Sequence, residues 1–113
     1  MTERRHQVRI QRSLECAITI DRHEYTATIL DISQEGIAFA VGRDVGIHVG
    51  DVVVISVADT FADGNTFLAD MIGTVMDLSE HEKTKIRCGC HINDHRYSKY
   101  VQELLIARVC RAD

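Results

Sequence analysis

Hydrophobic and polar residues alternate along most of this chain, in short runs separated by polar or glycine-containing turns. A period of two places every second side chain on the same face and is typical of a half-buried strand. The first such run is LECAITI, in which Leu14, Cys16, Ile18 and Ile20 share a face. The pattern predicts six strands, at residues 14–20, 25–30, 37–41, 52–58, 66–78 and 85–92.

The run at 66–78 fits either a strand or a helix by periodicity alone. Its β-type neighbours and Gly73 favour a long, bulged strand. After Asn93 and Asp94, either of which can cap a helix, the period changes to that of an α-helix. The apolar stripe of this helix consists of Tyr97, Val101, Leu104, Leu105 and Val109.

Six short, evenly spaced strands without interleaved helices indicate a mainly β fold. We expect a six-stranded antiparallel β-barrel with the C-terminal α-helix packed outside it or over one end. The length of 113 residues suits one domain. We assign residues 13–113 to the barrel and helix, and residues 1–12 to a flexible N-terminal arm.

The composition and charge argue against several classes of protein. Apolar residues make up 45% and charged residues 27%, as in ordinary globular proteins. No apolar run is long enough to span a membrane, and the N-terminus lacks a signal-peptide core, so we expect a cytoplasmic protein without membrane insertion. The net charge of −4 and the aromatic content of 5% argue against binding of a nucleic acid polymer.

Two short segments contain charged and polar residues that folding alone does not explain. The arm contains RRHQVR, with Arg4, Arg5 and Arg9, and the link after the second strand contains DISQEG, with Asp31, Ser33 and Gly36. Arginine grips phosphates, stacks on a base and matches guanine O6 and N7, whereas an aspartate accepts from guanine N1–H and N2–H₂. Each cluster alone also has a simpler interpretation, a solvated tail or a turn stabilised by Asp, Ser and Gly.

Together the clusters form the pair Arg5-x-x-x-Arg9 and Asp31-x-Ser33-x-x-Gly36, and this pair resembles the PilZ domain, the bacterial receptor module for cyclic diguanylate (c-di-GMP). The resemblance covers essentially the whole chain and implies a PilZ-like split barrel. One departure is Ile92 in GCHI (89–92), where the family usually has an aromatic residue.

The resemblance also implies roles for the motif residues. Arg5 and Arg9 would contact guanine and phosphate, and Arg4 is the position associated with binding an intercalated pair of nucleotides. Asp31 and Ser33 would bind a guanine edge, and Gly36 would allow the close turn. Binding would order the arm and present a new surface to an unknown downstream protein, without catalysis or a cofactor. We expect a monomer or weak dimer.

Four alternatives remain open from the residues. A zinc site is suggested by Cys88, Cys90 and His91, with His95 nearby and Cys16 and Cys110 elsewhere in the chain. Against it, Cys-x-Cys lacks a second pair, and the two thiols share the apolar face of their strand. An enzyme would need a nucleophile, P-loop or paired-carboxylate motif, none of which is present. General nucleic-acid binding is disfavoured by charge. The main alternative is a PilZ-like interaction module that does not bind nucleotide.

Overall fold

The computed structural model describes residues 9–61 and 64–110, with the backbone alone for residues 9, 11, 12 and 105–110. The mainly β fold predicted from the alternation is confirmed. A short 3-10 turn, Arg43–Val45, follows the third strand. The main elements are β1 (Arg9–Ile20), β2 (His23–Ser33), β3 (Gly36–Gly42), β4 (Val52–Thr60), β5 (Thr66–Glu82), β6 (Lys85–Ile92) and the helix α1 (His95–Cys110).

The six strands form a closed antiparallel barrel in the order β1-β2-β3-β6-β5-β4. Two of the pairings join strands that are not consecutive in the chain. β3 pairs with β6, and β1 pairs with β4, where Ala17 lies opposite Ser56. The ring is closed by unequal ladders, because β1 pairs with β4 only at Ala17–Thr19 and β5 pairs with β6 only from Gly73.

The core consists of the inward faces that the alternation predicts. Ile18, Ile29, Phe39 and Ile55 are fully buried. Cys88 is also fully buried, and it belongs to the same inward row as Cys90 and Ile92. The hydrophobic effect favours burial of each such side chain by about 1.5–3 kcal/mol.

Three strand ends extend three or more residues beyond the prediction: β5 continues to Glu82, and the other two lie beside the motifs. β1 begins at Arg9 rather than at residue 14, and β2 continues to Ser33, so the DISQEG segment lies mostly in strands. Alternation failed to reveal these extensions because the register shifts between Gln11 and Leu14, and again beside Leu30. A bulge inserts an extra residue and breaks the period of two. Residues 9–12 of the predicted arm therefore have strand backbone, and residues 1–8 lie outside the described part.

The turns are tighter than the polar segments suggest. Asp21 and Arg22 alone connect β1 to β2, with φ of 49° and 72°, angles that suit a two-residue hairpin turn. Gly64 has φ of 93°, as expected for the turn before β5. Its predicted partner Asp63 is outside the described residues.

The helix α1 begins directly after Asp94, whose Oδ1 accepts a hydrogen bond from the Arg96 backbone N–H at 2.9 Å. Asp94 is therefore the capping residue, one of the two candidates that the sequence offers. Tyr97, Val101 and Leu104 of the predicted stripe are buried, whereas the Leu105 and Val109 side chains are not described.

Tyr100 anchors the helix to the barrel and was not part of the predicted stripe. Its ring stacks on Phe67 at a centroid distance of 4.1 Å, and its hydroxyl donates to the buried Asp59 carboxylate at 2.7 Å. The helix thus packs against β4 and the start of β5. Within the two described ranges, no helix is long and apolar enough to cross a bilayer.

Candidate functional site

An open cleft of about 250 Å³ lies on the barrel surface where β2, β3, β6 and β5 run side by side. The DISQEG segment forms one side of it, and β5 and β6 form the other. The lining residues are Asp31, Ser33, Glu35, Gly36, Ile37, Ala38, Met76, Asp77, Arg87, Gly89, Cys90 and His91.

One row of residues crosses all four strands of the cleft. Asp31 pairs with Ala38, Ala38 with Gly89, and Gly89 with Asp77. The row spans three inter-strand spacings, about 14 Å. Two small residues in its middle form the floor of the cleft, and an aspartate stands at each end. The Asp77 carboxylate extends over Gly89, with its oxygens 2.8 and 2.9 Å from where a Cβ would lie.

Arg87 holds the Asp31 side chain. The Arg87 Nη2 donates to Asp31 Oδ2 at 2.5 Å, and both side chains are mostly buried. A charge-assisted bond in a partly buried place is stronger than one at the surface. The pair therefore fixes the direction in which the Asp31 carboxylate faces the cleft.

Ser33 and Tyr97 stabilise the backbone of the same segment. The Ser33 Oγ donates to the Gly36 carbonyl oxygen at 3.4 Å. The Tyr97 hydroxyl lies 2.5 Å from the Ser33 carbonyl oxygen and 2.6 Å from that of Gly36, between which it shares its hydrogen. Burial raises the pKa of Tyr97 well above its usual value, so this hydroxyl remains a donor. Ser33 is itself buried, and α1 is thereby tied to the cleft.

Gly36 is required for a different reason from the one expected. The sequence suggested a glycine that permits a turn, but Gly36 begins β3 and is not among the glycines with positive φ. A Cβ at this position would lie 1.7 Å from the Cys90 carbonyl oxygen. The close approach of β3 to β6, rather than a left-handed turn, therefore excludes every larger residue.

The structure places one of the predicted arginines at the edge of this site. The Arg9 backbone pairs with Ser33 across the β1–β2 ladder, two positions from the pair formed by Gln11 and Asp31. The two motifs thus meet at one end of the hairpin at the level of the backbone. Arg4 and Arg5 lie outside the described residues.

The described lining is acidic. It contains three carboxylates, those of Asp31, Glu35 and Asp77, and one guanidinium, that of Arg87. Its formal charge is therefore −2 when His91 is neutral. Such a surface attracts hydrogen-bond donors and repels anions unless further cations are supplied.

Sequence reasoning did not identify Arg87 or Asp77 as site residues. A signal for Arg87 was present, because the alternation of KIRCGCHI that buries the cysteines also directs Arg87, Gly89 and His91 outwards. Asp77 follows a bulge at Met76. Because the bulge breaks the alternation, the sequence pattern does not show which side of the sheet Asp77 faces. Neither could be assigned to a cleft with Asp31 until the pairing of β3 with β6 was known.

Three of the four cysteines, Cys16, Cys88 and Cys90, pack as apolar core residues. Burial raises the pKa of Cys16 and of Cys90 to about 12, and that of Cys88 to about 11. All three thiols are free and protonated at neutral pH. Among the described residues, no three or more His, Cys, Asp or Glu side chains are grouped so that they could hold a metal ion.

Comparison with known proteins places the chain in a family. The model of the PilZ domain matches residues 3–107, nearly the whole sequence. The chain belongs to the PilZ domain family. No curated protein sequence matches it.

Solved structures agree with this PilZ fold. The Bacillus subtilis inhibitor of motility (MotI/DgrA) has a TM-score of 0.80 at 15% identity, covering 99% of this chain and 55% of its own. The PilZ domain of Escherichia coli YcgR with c-di-GMP has a TM-score of 0.65 at 13% identity, covering 97% of this chain and all of its own. The K. pneumonia MrkH–c-di-GMP complex has a TM-score of 0.65 at 16% identity, covering 100% of this chain and 56% of its own. The chain thus spans about half the length of the first and third proteins.

Proposed function

We propose that this PilZ domain is a c-di-GMP receptor that binds the dinucleotide in the cleft, between the arm and the DISQEG segment. The proposal rests on the convergence of the two motifs: Asp31, Ser33 and Gly36 line one cleft, and the Arg9 backbone pairs with Ser33 at its edge. Two of the similar structures, those of YcgR and MrkH, contain c-di-GMP, which supports the choice of ligand.

Asp31 is the residue that selects guanine. Its carboxylate accepts the N1–H and N2–H₂ donors of the guanine edge, and adenine has no matching pair of donors. Arg87 orients that carboxylate, and a planar base lies over Ala38 and Gly89 once the exposed Asp77 side chain moves aside. Ser33 contributes beside Asp31, and Gly36 keeps β3 close enough to β6 to form the floor.

The arm supplies the positive charge. A cyclic dinucleotide carries two phosphate charges, and the described lining is itself acidic. Arg5 and Arg9 therefore neutralise the phosphates and stack on the bases. Arg4 adds a further cation, which allows an intercalated pair of nucleotides. Arg9 already belongs to β1, so the ligand orders the part of the arm that precedes it, which has little apolar surface to bury beforehand.

Ordering of the arm is the signal. The ligand shifts the part of the arm before Arg9 from an ensemble to one conformation, and a downstream protein recognises the surface so formed. No covalent step takes place, and the domain works as a switch rather than an enzyme. A monomer or weak dimer is sufficient for this scheme.

Isothermal titration with c-di-GMP tests the proposal, with cyclic diadenylate and GTP as comparison ligands. We expect saturable binding of c-di-GMP alone, with one or two dinucleotides per chain. Arg5→Ala or Arg9→Ala should abolish binding while leaving the thermal melt nearly unchanged. Asp31→Ala should weaken binding of guanine ligands specifically.

Arg22→Ala is the matched control, because it removes an arginine from the turn at the opposite end of the β1–β2 hairpin. Equal weakening by Arg22→Ala would mean that overall charge, rather than the site, governs binding. Loss of the fold in Arg9→Ala would mean that the arginine is structural.

The alternative is an interaction module that does not bind nucleotide. Asp31 and Ser33 have contacts within the protein, with Arg87 and the Gly36 carbonyl oxygen, that would favour these residues without any ligand. One similar structure is that of an inhibitor of motility. A folded sample that gives no heat with c-di-GMP would support this alternative.

A further inference from the structure

Large apolar side chains are exposed on the outer surface of β4 and β5. Leu68 is 71% exposed, Ile72 62%, Val52 61% and Met76 57%. The register aligns Ile72 with Val54 of β4, so these side chains form one surface. We refer to Val52, Val54, Leu68, Ile72 and Met76 as the β4–β5 face. Val52, Val54 and Ile72 form its contiguous part, while Asp70, opposite Ser56, and Thr74 interrupt the apolar row on β5. Exposed apolar surface rimmed by polar residues is characteristic of an interaction site.

The charges beside this face are acidic. Residues 52–60 and 66–82, all of them described, include no lysine or arginine. Asp70 lies between Leu68 and Ile72 and faces Ser56 of β4, and Asp77 lies just beyond Met76. The Arg96 guanidinium reaches the Asp70 carbonyl oxygen, but the Asp94 carboxylate neutralises it.

The closed ring limits how a partner can dock here. β4 is paired with β1 at Val54–Ser56 and with β5 along its length, and β5 is paired with β6 from Gly73 onwards, so the centre of this face offers no free strand edge to a partner. It must lie across the side chains instead. Leu68 to Met76 spans eight strand residues, about 27 Å, which equals the length of a helix of about 18 residues.

We propose that the β4–β5 face docks an amphipathic helix of a partner protein, with lysines or arginines flanking the apolar stripe of that helix. The apolar stripe covers Leu68, Ile72 and Met76, and the flanking cations meet Asp70 and Asp77. Complementary charge sets the orientation and the rate of association, while burial of the apolar side chains supplies most of the affinity.

The same charges disfavour two other occupants. A second copy of this chain would bring two acidic faces together, Asp70 against Asp70. An anionic lipid surface would be repelled by Asp70 and Asp77. A basic helix is attracted by these carboxylates, whereas a second copy of the chain or an anionic lipid surface is repelled by them.

The face is continuous with the cleft, because Met76 belongs to both. A helix seated on the face would end beside the nucleotide site. Docking itself does not rest on the proposed function, and it can be tested without nucleotide.

The probe is a synthetic helix of about 18 residues with a leucine stripe and lysines beside it. Two comparison peptides carry glutamate in place of lysine, or the same residues scrambled so that the stripe is lost. Binding is followed by fluorescence anisotropy, and its location by ¹⁵N amide shifts. We expect only the lysine peptide with an intact stripe to bind, with the largest shifts in β4 and β5.

Matched variants test the two components separately. The double variant Leu68→Ser with Ile72→Ser should weaken binding at least about tenfold, whereas Leu68→Met with Ile72→Val should retain it. Asp70→Lys should weaken binding, and Asp44→Lys should not, because Asp44 lies outside the face, in the 3-10 turn that follows β3. If the serine variant does not fold, Asp70→Lys still decides the charge component, because Asp70 is exposed.

Three outcomes would overturn the proposal. The first is equal binding of the glutamate peptide, or shifts confined to another face. The second is a dimer in sedimentation that the serine variant abolishes, which would assign the face to a second copy. The third is binding to phosphatidylglycerol vesicles that the serine variant abolishes. The serine variant should titrate c-di-GMP normally, so a failure here is distinguishable from a failure of the receptor proposal.

Discussion

At Gly36, a backbone carbonyl of the neighbouring strand occupies the space that a side chain would need. A Cβ would lie 1.7 Å from the Cys90 oxygen, so Gly36→Ala must separate β3 from β6. We expect a loss of unfolding free energy on the order of 3 kcal/mol, measured by urea denaturation. Gly73→Ala is the control, because its nearest neighbour would be 3.3 Å away and a small shift relieves the contact. Equal stability of the two variants would contradict this account.

Tyr97 joins the helix to the cleft through one hydroxyl. Tyr97→Phe leaves the Ser33 and Gly36 carbonyl oxygens without that donor, and we expect a loss of about 1–2 kcal/mol in unfolding free energy. Tyr25→Phe, at a half-buried tyrosine of β2, is the matched control. The comparison is made by thermal melts under identical conditions. If both variants melt at the wild-type temperature, the contact does not stabilise the segment.

At the residue scale, the sequence marked Asp31, Ser33 and Gly36, which line the cleft, but not the contacts that hold them. Asp31, Ser33 and Gly36 are marked by residue type and spacing, which are visible in one dimension. Arg87 and Tyr97 reach the same segment from 56 and 64 positions away. Such contacts depend on strand pairing and helix packing, for which local periodicity has no signal.

Asp94 provides the electrostatic stabilisation of the start of α1. Hydrogen bonds from Arg96 lower the pKa of Asp94 from 3.8 to about 2. A depressed pKa in the folded state stabilises the protein above the unfolded pKa, and this contribution is lost as the pH falls through the folded value. The charge-dependent part should therefore disappear between about pH 4 and pH 2.

Asp94→Asn isolates that part, since asparagine retains an oxygen that can cap the helix. Wild type should melt at a higher temperature than Asp94→Asn at pH 6, and the difference should vanish near pH 2. Circular dichroism melts of both proteins across this range test it. A difference that does not depend on pH would show that the carboxylate charge is not responsible.

At the element scale, all six strands and the helix were predictable because burial on one face imposes a period. The unpredicted parts are those where a bulge breaks the period: the start of β1, the end of β2 and the extension of β5 to Glu82. In β5 the shifts occur beside Met76 and His81 rather than at Gly73. The site lies at two of these irregular places, so the least regular backbone forms the cleft.

At the scale of the whole molecule, closure of the ring brings together residues from four strands. The pairings of β1 with β4 and β3 with β6 are not between consecutive strands, and no alternation pattern determines them. Negative and positive charge lie in two different parts of the chain. The net charge is −4 and the described cleft lining is acidic, while three arginines are concentrated in residues 4–9. The account therefore requires both parts, since the cleft selects the base and the arm binds the phosphates.

The most direct measurement is a ¹⁵N amide spectrum of the wild-type protein titrated with c-di-GMP. The account predicts saturable shifts at Asp31, Ser33, Gly36 and Gly89, together with new or displaced signals from Arg5 and Arg9, and little change at Asp21 and Arg22 in the distant turn. Cyclic diadenylate should cause no comparable shifts. An unchanged spectrum, or shifts that cluster around the distant turn, would contradict the claim that arm and cleft together form a c-di-GMP site.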